Sequence, residues 1–425
     1  MASSVLTRVL KEIVPSESEK KERQAIGRKI MDRLAKEGYK SVMVGSTARD
    51  TFISGDRDID IFVFFPTNTP RDEFEKKGLA LGKKVLAGYS PIVHYAEHPY
   101  VRGVVDGSKV EVVPCYRVKD KIISAVDRSP LHNEFLKKKM RASQKDQVRL
   151  LKQFMKGTKV YGADQKTHGF SGYLSELLIL YYGDFEKALK AASRWRPPII
   201  LDFGKNDVSK FTEPIIVIDP VDSNRNVAAA ISPASLDKFI LKSIEYLEKP
   251  GIDYFFPPKM EIDLKKEAKG RRLIMLAFDY PKTIVEEIVW SQLEKLAGTI
   301  KTQLELADFA VYRVRHWTDE KNKCAITLEL QDLEISAQKK HGGPFVSQTK
   351  NAEEFRKKYK DAWIEGERLF AWRRREYTSA ERLVKSLLKK EFVPSHLAKP
   401  FGQAKVLVNE KTLSEKEVLE DYFSE

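Results

Sequence analysis

Apolar and polar positions in the first 141 residues alternate between a helical period and a strand period. Helical spacing begins after Ser16, a residue that caps helix N-termini well, and stops at Gly38, which suits a helix end. The pattern then predicts a strand at 40–45, a short helix at 46–55, a strand at 58–66 and a helix at 71–88. Two later strands are joined by a turn at Asp106 and Gly107. Strands that alternate with helices predict an α/β domain over residues 1–141.

Helical spacing dominates the middle of the chain. It predicts helices at 145–162, 171–183, 185–195 and 232–251, with a strand that leaves into a polar turn at 214–232. A Pro- and Gly-rich segment at 249–259 then indicates a boundary. The expected fold class is α+β multidomain, with an α/β head at 1–141, a mainly helical central domain at 142–256 and an α+β C-terminal region at 257–425.

Two acids interrupt the apolar strand predicted at 58–66. Residues two apart on a strand share a face, so Asp58 and Asp60 project together, away from the neighbouring isoleucines. Neighbouring carboxylates repel each other, and a divalent cation between them relieves the repulsion. Hard oxygen ligands favour Mg²⁺, with Mn²⁺ as the alternative, over zinc. Glu111 is a third acid on an apolar strand, and it joins the pair if the two strands are neighbours.

Gly45 and Ser46 follow the first predicted strand and complete the pattern. A glycine at a strand-to-helix junction lets the backbone approach a phosphate, while the Ser46 hydroxyl and Arg49 can bind phosphate oxygens. Each feature alone is weak, because a D-x-D pair often lies on a solvated edge and Glu111 can face solvent. The ordered set of strand, Gly-Ser, helix, D-x-D strand and later acidic strand is far more specific.

The amino-acid composition favours some classes of binding partner but does not identify one. The formal net charge of +14 favours a polyanion, nucleic acid first and an anionic membrane second, although 32% charged residues also fits a merely lysine-rich protein. Two cysteines are too few for a disulfide framework or a cysteine zinc site, which favours a reducing, cytoplasmic localisation. The pair His94 and His98 is an unconvincing zinc site, and no apolar run is long enough to span a membrane.

With these motifs in order, the sequence resembles the nucleotidyltransferase superfamily of DNA polymerase β-like enzymes. The segments "GSTARDT", "DIDIF", "YAEHPYVRGVV", "VEVVPCY", "VRLLKQFMK", "GFSGYLSELL" and "DPVDSNRNVAA" further resemble the archaeal (class I) CCA-adding enzymes. The similarity is strong over about the first 250 residues. It implies a head with a mixed sheet and template-independent addition of C, C and A to the tRNA 3′ end from CTP and ATP.

The resemblance also implies roles for individual residues. Asp58, Asp60 and Glu111 would be the catalytic metal ligands, although members of the family tend to have Glu first and Asp third, the reverse of the order here. Asp106 is a weaker candidate for the third ligand. The implied nucleotide-binding residues are Gly45, Ser46, Arg49, His132, Lys152, Tyr161 and Arg225, with His98 as a residue lining the active-site sheet.

Each of these assignments has an ordinary alternative. His132 can be a capping or core histidine, and Tyr161 an ordinary core residue. Lys152 lies with Lys145, Arg149 and Lys156 on one helical stripe that either faces triphosphate and RNA or is merely solvated. Arg225 is expected to face the base, and an ion pair with Asp219 or Asp222 is nearly as compatible with the spacing.

The partners expected are tRNA, ATP and CTP, with a homodimer as a further expectation. Basic clusters at 136–141, 264–272 and 372–377 favour RNA contact, and the last of them mixes aromatic residues with arginines. Two other functions stay open from sequence. One is a poly(A) polymerase-like enzyme of the same superfamily, and the other is a non-catalytic RNA-binding protein that keeps the fold.

Overall fold

A computed structural model describes residues 2–95, 98–118, 121–204, 206–258, 261–389 and 392–424. The chain forms two compact units, Met1–Pro258 and Lys259–Glu425. The predicted α+β multidomain class is confirmed. None of the helices in the described ranges is both long and apolar enough to cross a bilayer.

The first part of the N-terminal unit builds a mixed sheet with helices on it. Its elements are α1 (Ala2–Ile13), α2 (Glu17–Lys36), β1 (Ser41–Val44), α3 (Gly45–Arg49), β2 (Asp58–Phe65), α4 (Arg71–Val85), β3 (Ile92–Tyr95), β4 (Pro99–Val105), β5 (Ser108–Tyr116) and α5 (Arg128–Lys139), with a 3₁₀ turn at Ala125–Asp127. The strand order is β1-β2-β5-β4-β3, and only β2 and β5 are parallel neighbours. Because β2 and β5 are neighbours, the acidic residues of the two strands meet on one face.

Local sequence rules explain most of these elements. Ser16 caps α2 by accepting from the backbone N–H of Glu19, and Gly38 adopts φ +82° just after the helix. The β4–β5 turn places both Asp106 and Gly107 at positive φ, as a tight hairpin requires. On β2, Ile59 and the residues at every second position after it pack against α2 and α4. The two acids therefore lie on the opposite face of the strand.

The second part of the N-terminal unit is mainly helical. It contains α6 (Gln144–Gly157), α7 (Gly172–Tyr182), α8 (Phe185–Ala192), β6 (Ile199–Leu201), β7 (Ile215–Asp219), β8 (Asp222–Asn226) and α9 (Pro233–Glu248), followed by a 3₁₀ turn at Ile252–Tyr254. One hydrophobic cluster joins these helices, and Val9 and Ile13 of α1 belong to it. The division of this unit at residues 141 and 142 remains a prediction.

Two predicted elements differ from the structure. The helix expected at 46–55 ends at Arg49, because Asp50 adopts a left-handed conformation with φ 55°. The polar turn expected after Asp219 is instead a hairpin that includes β8. The side-chain amide of Asn226 holds that hairpin by accepting from the N–H of Val217 and donating to the carbonyl of Ile215.

The C-terminal unit combines two small antiparallel sheets with helices. Its elements are α10 (Leu264–Ala268), β9 (Arg272–Asp279), α11 (Glu286–Leu306), β10 (Val311–Thr318), β11 (Lys323–Leu330), β12 (Gln338–Phe345), α12 (Thr349–Lys358), β13 (Trp363–Glu365), β14 (Arg368–Arg374), α13 (Ala380–Leu387), α14 (Ser395–Gly402), β15 (Lys405–Val408) and α15 (Lys416–Phe423), with a 3₁₀ turn at Asn409–Ser414. The sheets run β10-β11-β9-β15 and β12-β14-β13. The long helix α11 packs on the larger sheet through its apolar face.

Candidate active site

A pocket of about 310 Å³ lies in the N-terminal unit and gathers residues that are far apart in sequence. Eight residues proposed from the sequence line it: Gly45, Ser46, Arg49, Asp60, Glu111, His132, Lys152 and Tyr161. Six further lining residues were not foreseen: Val44, Phe62, Val113, Ser129, Gly172 and Tyr173. Polar groups from the mixed sheet and from α5, α6 and α7 therefore converge on one cavity, as a ligand site requires.

Asp60 and Glu111, on the acidic face of β2 and β5, line one wall of this pocket, whereas Asp58 is not among the lining residues. Residue Asp60 lies directly opposite Glu111 in the parallel register, and Asp58 lies two residues along the same face. Burial, together with the negative charges of Glu111 and Asp58, raises the pKa of Asp60 to about 7. The ionised form of Asp60 is therefore destabilised in the metal-free protein, and a cation bound beside it would relieve this cost.

The third carboxylate is already engaged. Glu111 accepts two hydrogen bonds from Arg102 on β4, at 2.9 Å from Nε and 2.6 Å from Nη2. Within the described ranges, no three His, Cys, Asp or Glu side chains stand together as a ready metal site. The donor set still fits a hard divalent cation at Asp58 and Asp60, because both are carboxylates on one strand face. Both bonds from Arg102 end on Oε1 of Glu111, so the Oε2 atom of this carboxylate is bound to neither nitrogen.

The Gly45 position allows close approach at the pocket floor. Gly45 has φ +74°, a conformation that favours glycine, and a Cβ there would overlap Oδ2 of Asp60. Helix α3 contains only five residues, so its dipole contributes less to anion binding than the sequence pattern suggested. A phosphate at this position would therefore be held by local N–H groups and by the side chains of Ser46 and Arg49 rather than by a helix dipole.

Arg49 is held by Glu176, a residue that was not predicted from the sequence. Its Nε lies 3.0 Å from Oε1 of Glu176 and its Nη2 lies 2.6 Å from Oε2, while Nη1 donates to Asn133 at 3.3 Å. Glu176 lies on α7, 127 positions away. In the sequence, the one signal for Glu176 was its position in the segment "GFSGYLSELL", which resembles the corresponding segment of the archaeal CCA-adding enzymes.

The basic stripe on α6 is not a solvated face. Arg149 is buried and donates to the carbonyls of Asp50 and Phe52, and Lys145 and Lys156 pair with Asp50 and Asp56. The stripe therefore packs against the segment 50–56, because the turn at Asp50 brings these acids and carbonyls to α6. Within the stripe, Lys152 lines the pocket, and its Nζ donates to the carbonyl of Thr51.

His132 and Arg225 share one buried carboxylate, that of Asp219. His132 Nε2 lies 2.8 Å from Asp219 Oδ2, and its ring stacks on Tyr173 with a centroid distance of 3.9 Å. Burial lowers the pKa of His132 below its usual range, although Asp219 opposes this effect. Arg225 forms the alternative ion pair with Asp219, at 2.8 Å, and is not among the residues that line the pocket. Its contact with a base stays a prediction.

Three other candidates are placed as follows. Tyr161 lines the pocket wall, with Lys156 Nζ 5.5 Å from its ring centroid. His98 is buried against α4, where Nδ1 lies 3.3 Å from Glu75, and it does not line the pocket. Asp106 lies in the β4–β5 turn, paired with Lys29 and outside the pocket lining.

Nucleotide affinity is expected to fall as the pH rises above about 8, because burial lowers the pKa of Lys152 to about 8. Loss of its proton removes a positive charge from the pocket, so the dissociation constant for ATP should rise by up to about tenfold per pH unit above that value. Calorimetric titration from pH 7 to 9.5 measures this. The Lys152→Met variant should bind weakly with no such dependence, whereas Lys156→Met should keep it. A flat wild-type profile contradicts the prediction.

Comparison with known proteins extends over nearly the whole chain. Three family models match in succession: a nucleotidyltransferase domain at residues 26–141, the second domain of tRNA nucleotidyltransferase at 146–256 and the C-terminal domain of the CCA-adding enzyme at 269–407. The chain is 39% identical over 410 residues to the CCA-adding enzyme of Methanocaldococcus jannaschii, covering 90% of each. It is 39% identical over 360 residues to that of Methanothermobacter thermautotrophicus, covering 82% of this chain and 79% of the relative.

Proposed function

The chain belongs to the archaeal family of CCA-adding enzymes, and from this premise we propose that it completes the 3′ end of tRNA. It adds C, C and A from CTP and ATP without a template. The single observation that assigns this activity to the pocket is the parallel register of β2 and β5. It places Asp60 opposite Glu111, in the same pocket as Gly45 and Ser46. Nucleotidyl transfer needs carboxylates that can hold a cation, next to hydrogen-bond donors that can bind the phosphate oxygens.

In the reaction, the 3′-hydroxyl oxygen of the RNA attacks the α-phosphorus of the nucleotide. The bond from the α-phosphorus to the bridging oxygen breaks, pyrophosphate leaves with that oxygen, and the proton of the hydroxyl is released to solvent. Ser46, Arg49 and Lys152 hold triphosphate oxygens and keep the leaving group aligned with the attack. Tyr161 and His132 close the pocket around the nucleotide.

A divalent cation is expected in this family, and we assign it to Asp58 and Asp60 with Glu111 as the third ligand. When bound, it supplies charge stabilisation at the transferring phosphate and lowers the pKa of the attacking hydroxyl. Oxygen-only ligands favour Mg²⁺ over zinc, with Mn²⁺ as the alternative. Burial and the nearby charges of Glu111 and Asp58 disfavour the ionised form of Asp60 in the absence of a cation, and this supports the assignment.

For RNA, we propose the sheet β12-β14-β13 as a contact surface of the C-terminal unit. Trp372 is 49% exposed, and its ring lies 5.3 Å from that of Trp363. Lys340 lies 4.2 Å above the ring of Phe370, and Arg373 and Arg374 are exposed beside it. Aromatic faces next to cations suit stacking on unpaired or exposed bases together with phosphate contact.

The other basic clusters are used differently. The lysines of 136–141 are exposed at the end of α5 and stay candidates for RNA contact. In the cluster 264–272, Arg271 pairs with Glu329 at 3.0 Å and lies over the ring of Phe423, so this arginine stabilises the unit itself. The cluster is therefore a weaker RNA candidate than the sequence suggested.

The Trp372→Ala variant is expected to raise the KM for tRNA by about tenfold, since one stacked base contributes about 1–3 kcal/mol. The KM values for CTP and ATP should not change, because the substitution lies in the C-terminal unit and the pocket in the other. Steady-state kinetics with tRNA lacking CCA measure both. Leu306→Ala, another exposed apolar position of the same unit, is the control. Equal KM values for tRNA in all three proteins contradict the surface assignment.

Compartment, assembly and domain limits remain proposals. The two buried free cysteines, Cys115 and Cys324, support a reducing cytoplasmic location. We keep the homodimer as an expectation that light scattering in solution tests directly. We also keep the three-part division at 1–141, 142–256 and 257–425, which limited proteolysis tests.

The function is tested by sequencing the products formed on tRNA that ends before CCA. With CTP alone we expect two added C residues, and with both nucleotides a complete CCA that is not extended further. Long A tracts without use of CTP favour the poly(A) polymerase-like alternative. RNA binding with no metal-dependent incorporation favours a non-catalytic protein. Either of these two outcomes overturns the proposal.

A further inference from the structure

One carboxylate lies beneath the pocket with no exposed side-chain surface. Glu176 accepts two hydrogen bonds from Arg49, one at each oxygen, and a third from the hydroxyl of Thr51. Arg49 itself is only 8% exposed at its side chain. An arginine–carboxylate pair with two parallel hydrogen bonds fixes the guanidinium plane more firmly than a single contact does.

The same carboxylate acts on a second pocket cation. Lys152 is buried, and Glu176 is the largest electrostatic influence that favours its charged form. Asp56 acts in the same sense, whereas Arg49 and Lys156 oppose it. In turn, although burial opposes ionisation, Arg49 and Lys152 hold the pKa of Glu176 below its usual value. One anion thus lies among the two cations that face the pocket from α3 and α6.

We propose that Glu176 is a positioning residue for the nucleotide triphosphate and does not touch the substrate itself. It holds Arg49 directly, and it holds Lys152 through Thr51, whose hydroxyl donates to Glu176 and whose carbonyl accepts from Lys152 Nζ. The inference rests on the proposed function only in taking a nucleoside triphosphate as the pocket ligand. Glu176 and Asn133 engage three of the five guanidinium N–H groups of Arg49. One N–H on each terminal nitrogen remains for a pocket ligand.

The chemistry of the glutamate matters for this role. A glutamine in its place offers one acceptor oxygen and one NH₂ group, so one of the two parallel bonds to Arg49 becomes a contact between donors. Removal of the charge also leaves Arg49 and Lys152 to repel each other in a buried site. Lys152 then loses its proton at lower pH than in the wild type.

The test is nucleotide binding and turnover by Glu176→Gln. We expect the dissociation constants and KM values for both CTP and ATP to rise by about tenfold, and kcat to change much less. The loss of ATP affinity with rising pH should begin at lower pH than in the wild type. Glu176→Asp, which keeps the charge, should restore part of the affinity. Glu75→Gln, which removes a carboxylate on the surface of α4, is the control.

A purely structural role predicts a different pattern. If Glu176 only stabilised the fold, kcat would fall with the fraction of folded enzyme, while KM and the pH profile would stay at wild-type values; this result overturns the inference. If Glu176→Gln does not fold, Thr51→Val removes one hydrogen bond to Glu176 without a change of charge. A folded Thr51→Val protein with unchanged nucleotide affinity and an unshifted pH profile likewise overturns it.

The binding titration separates this inference from the proposed function. Wild-type protein that binds CTP and ATP in a Glu176-dependent way, yet adds nothing to tRNA, contradicts the proposed function alone. Wild-type protein that completes CCA normally, as does Glu176→Gln at unchanged KM, contradicts the positioning role alone.

Discussion

The Asp60→Asn variant is expected to lose at least about 10³-fold in the rate of CTP and ATP incorporation, equivalent to about 4 kcal/mol of transition-state stabilisation. The substitution keeps the size of the side chain and removes the charge on β2 that faces the pocket. Single-turnover incorporation into tRNA lacking CCA, with Mg²⁺ in excess, measures the loss of the chemical step.

Stability should move in the opposite direction from activity. The pKa of Asp60 is raised from 3.8 to about 7 in the folded, metal-free protein, so the folded state binds more protons than the unfolded state between these values. The ionised carboxylate therefore destabilises the fold as the pH rises through this window. Asparagine removes that cost, so the thermal midpoint of Asp60→Asn at pH 8 with a chelator should equal or exceed that of the wild type.

These two readouts distinguish a metal ligand from a structural residue. A variant that lost activity through misfolding would show a lower thermal midpoint, which contradicts this account. Asp106→Asn is the matched control, since Asp106 lies in the β4–β5 turn and outside the pocket lining. If Asp60→Asn incorporated nucleotides at the wild-type rate, the Asp60 carboxylate would not be required for catalysis and the proposed mechanism would be wrong.

Glu111→Gln is expected to lower incorporation by about 10²-fold or more, since it removes the third carboxylate of the wall. Glu111 stands opposite Asp60 in the register, whereas Asp106 does not line the pocket. The same single-turnover assay therefore decides between the two candidates for the third ligand. A large loss in Asp106→Asn with a small loss in Glu111→Gln would reverse the assignment.

The Arg102 pair adds a second test of Glu111. Arg102→Gln frees the Glu111 carboxylate from its two hydrogen bonds, so this variant should bind Mn²⁺ more tightly than the wild type when followed by electron paramagnetic resonance. The Arg102→Gln/Glu111→Gln double variant should lose that gain. Unchanged Mn²⁺ affinity in Arg102→Gln would show that Glu111 does not reach the cation.

Much of the fold followed from local patterns in the sequence. Helix α2 has its Ser16 cap and α4 its helical spacing, while β2 alternates apolar and acidic positions as predicted. The Gly45-Ser46 junction and the three carboxylates were likewise identified from residue type and spacing. These features depend on neighbours within a few positions, and such neighbours are visible in a sequence.

The pairing of distant groups was not accessible in the same way. The stripe on α6 could be seen to share a face, yet its partners in 50–56 are about a hundred positions away. For Arg225, spacing left the choice between an ion pair and a base contact open, and the structure shows the pair with Asp219. Helix α3 also stopped early, because one left-handed residue, Asp50, outweighed the local propensity.

By itself, the sequence identified the carboxylates, the Gly-Ser junction and the basic residues proposed for the active site, together with the order of the elements that carry them. Only the tertiary structure decided which groups meet: β2 beside β5 in parallel register, Arg49 on Glu176, and Glu111 turned to Arg102. The physical reason is that local spacing fixes the direction of a side chain within its own element. The partner of a buried charge is set instead by how elements pack, and a charge without a partner is too costly to bury.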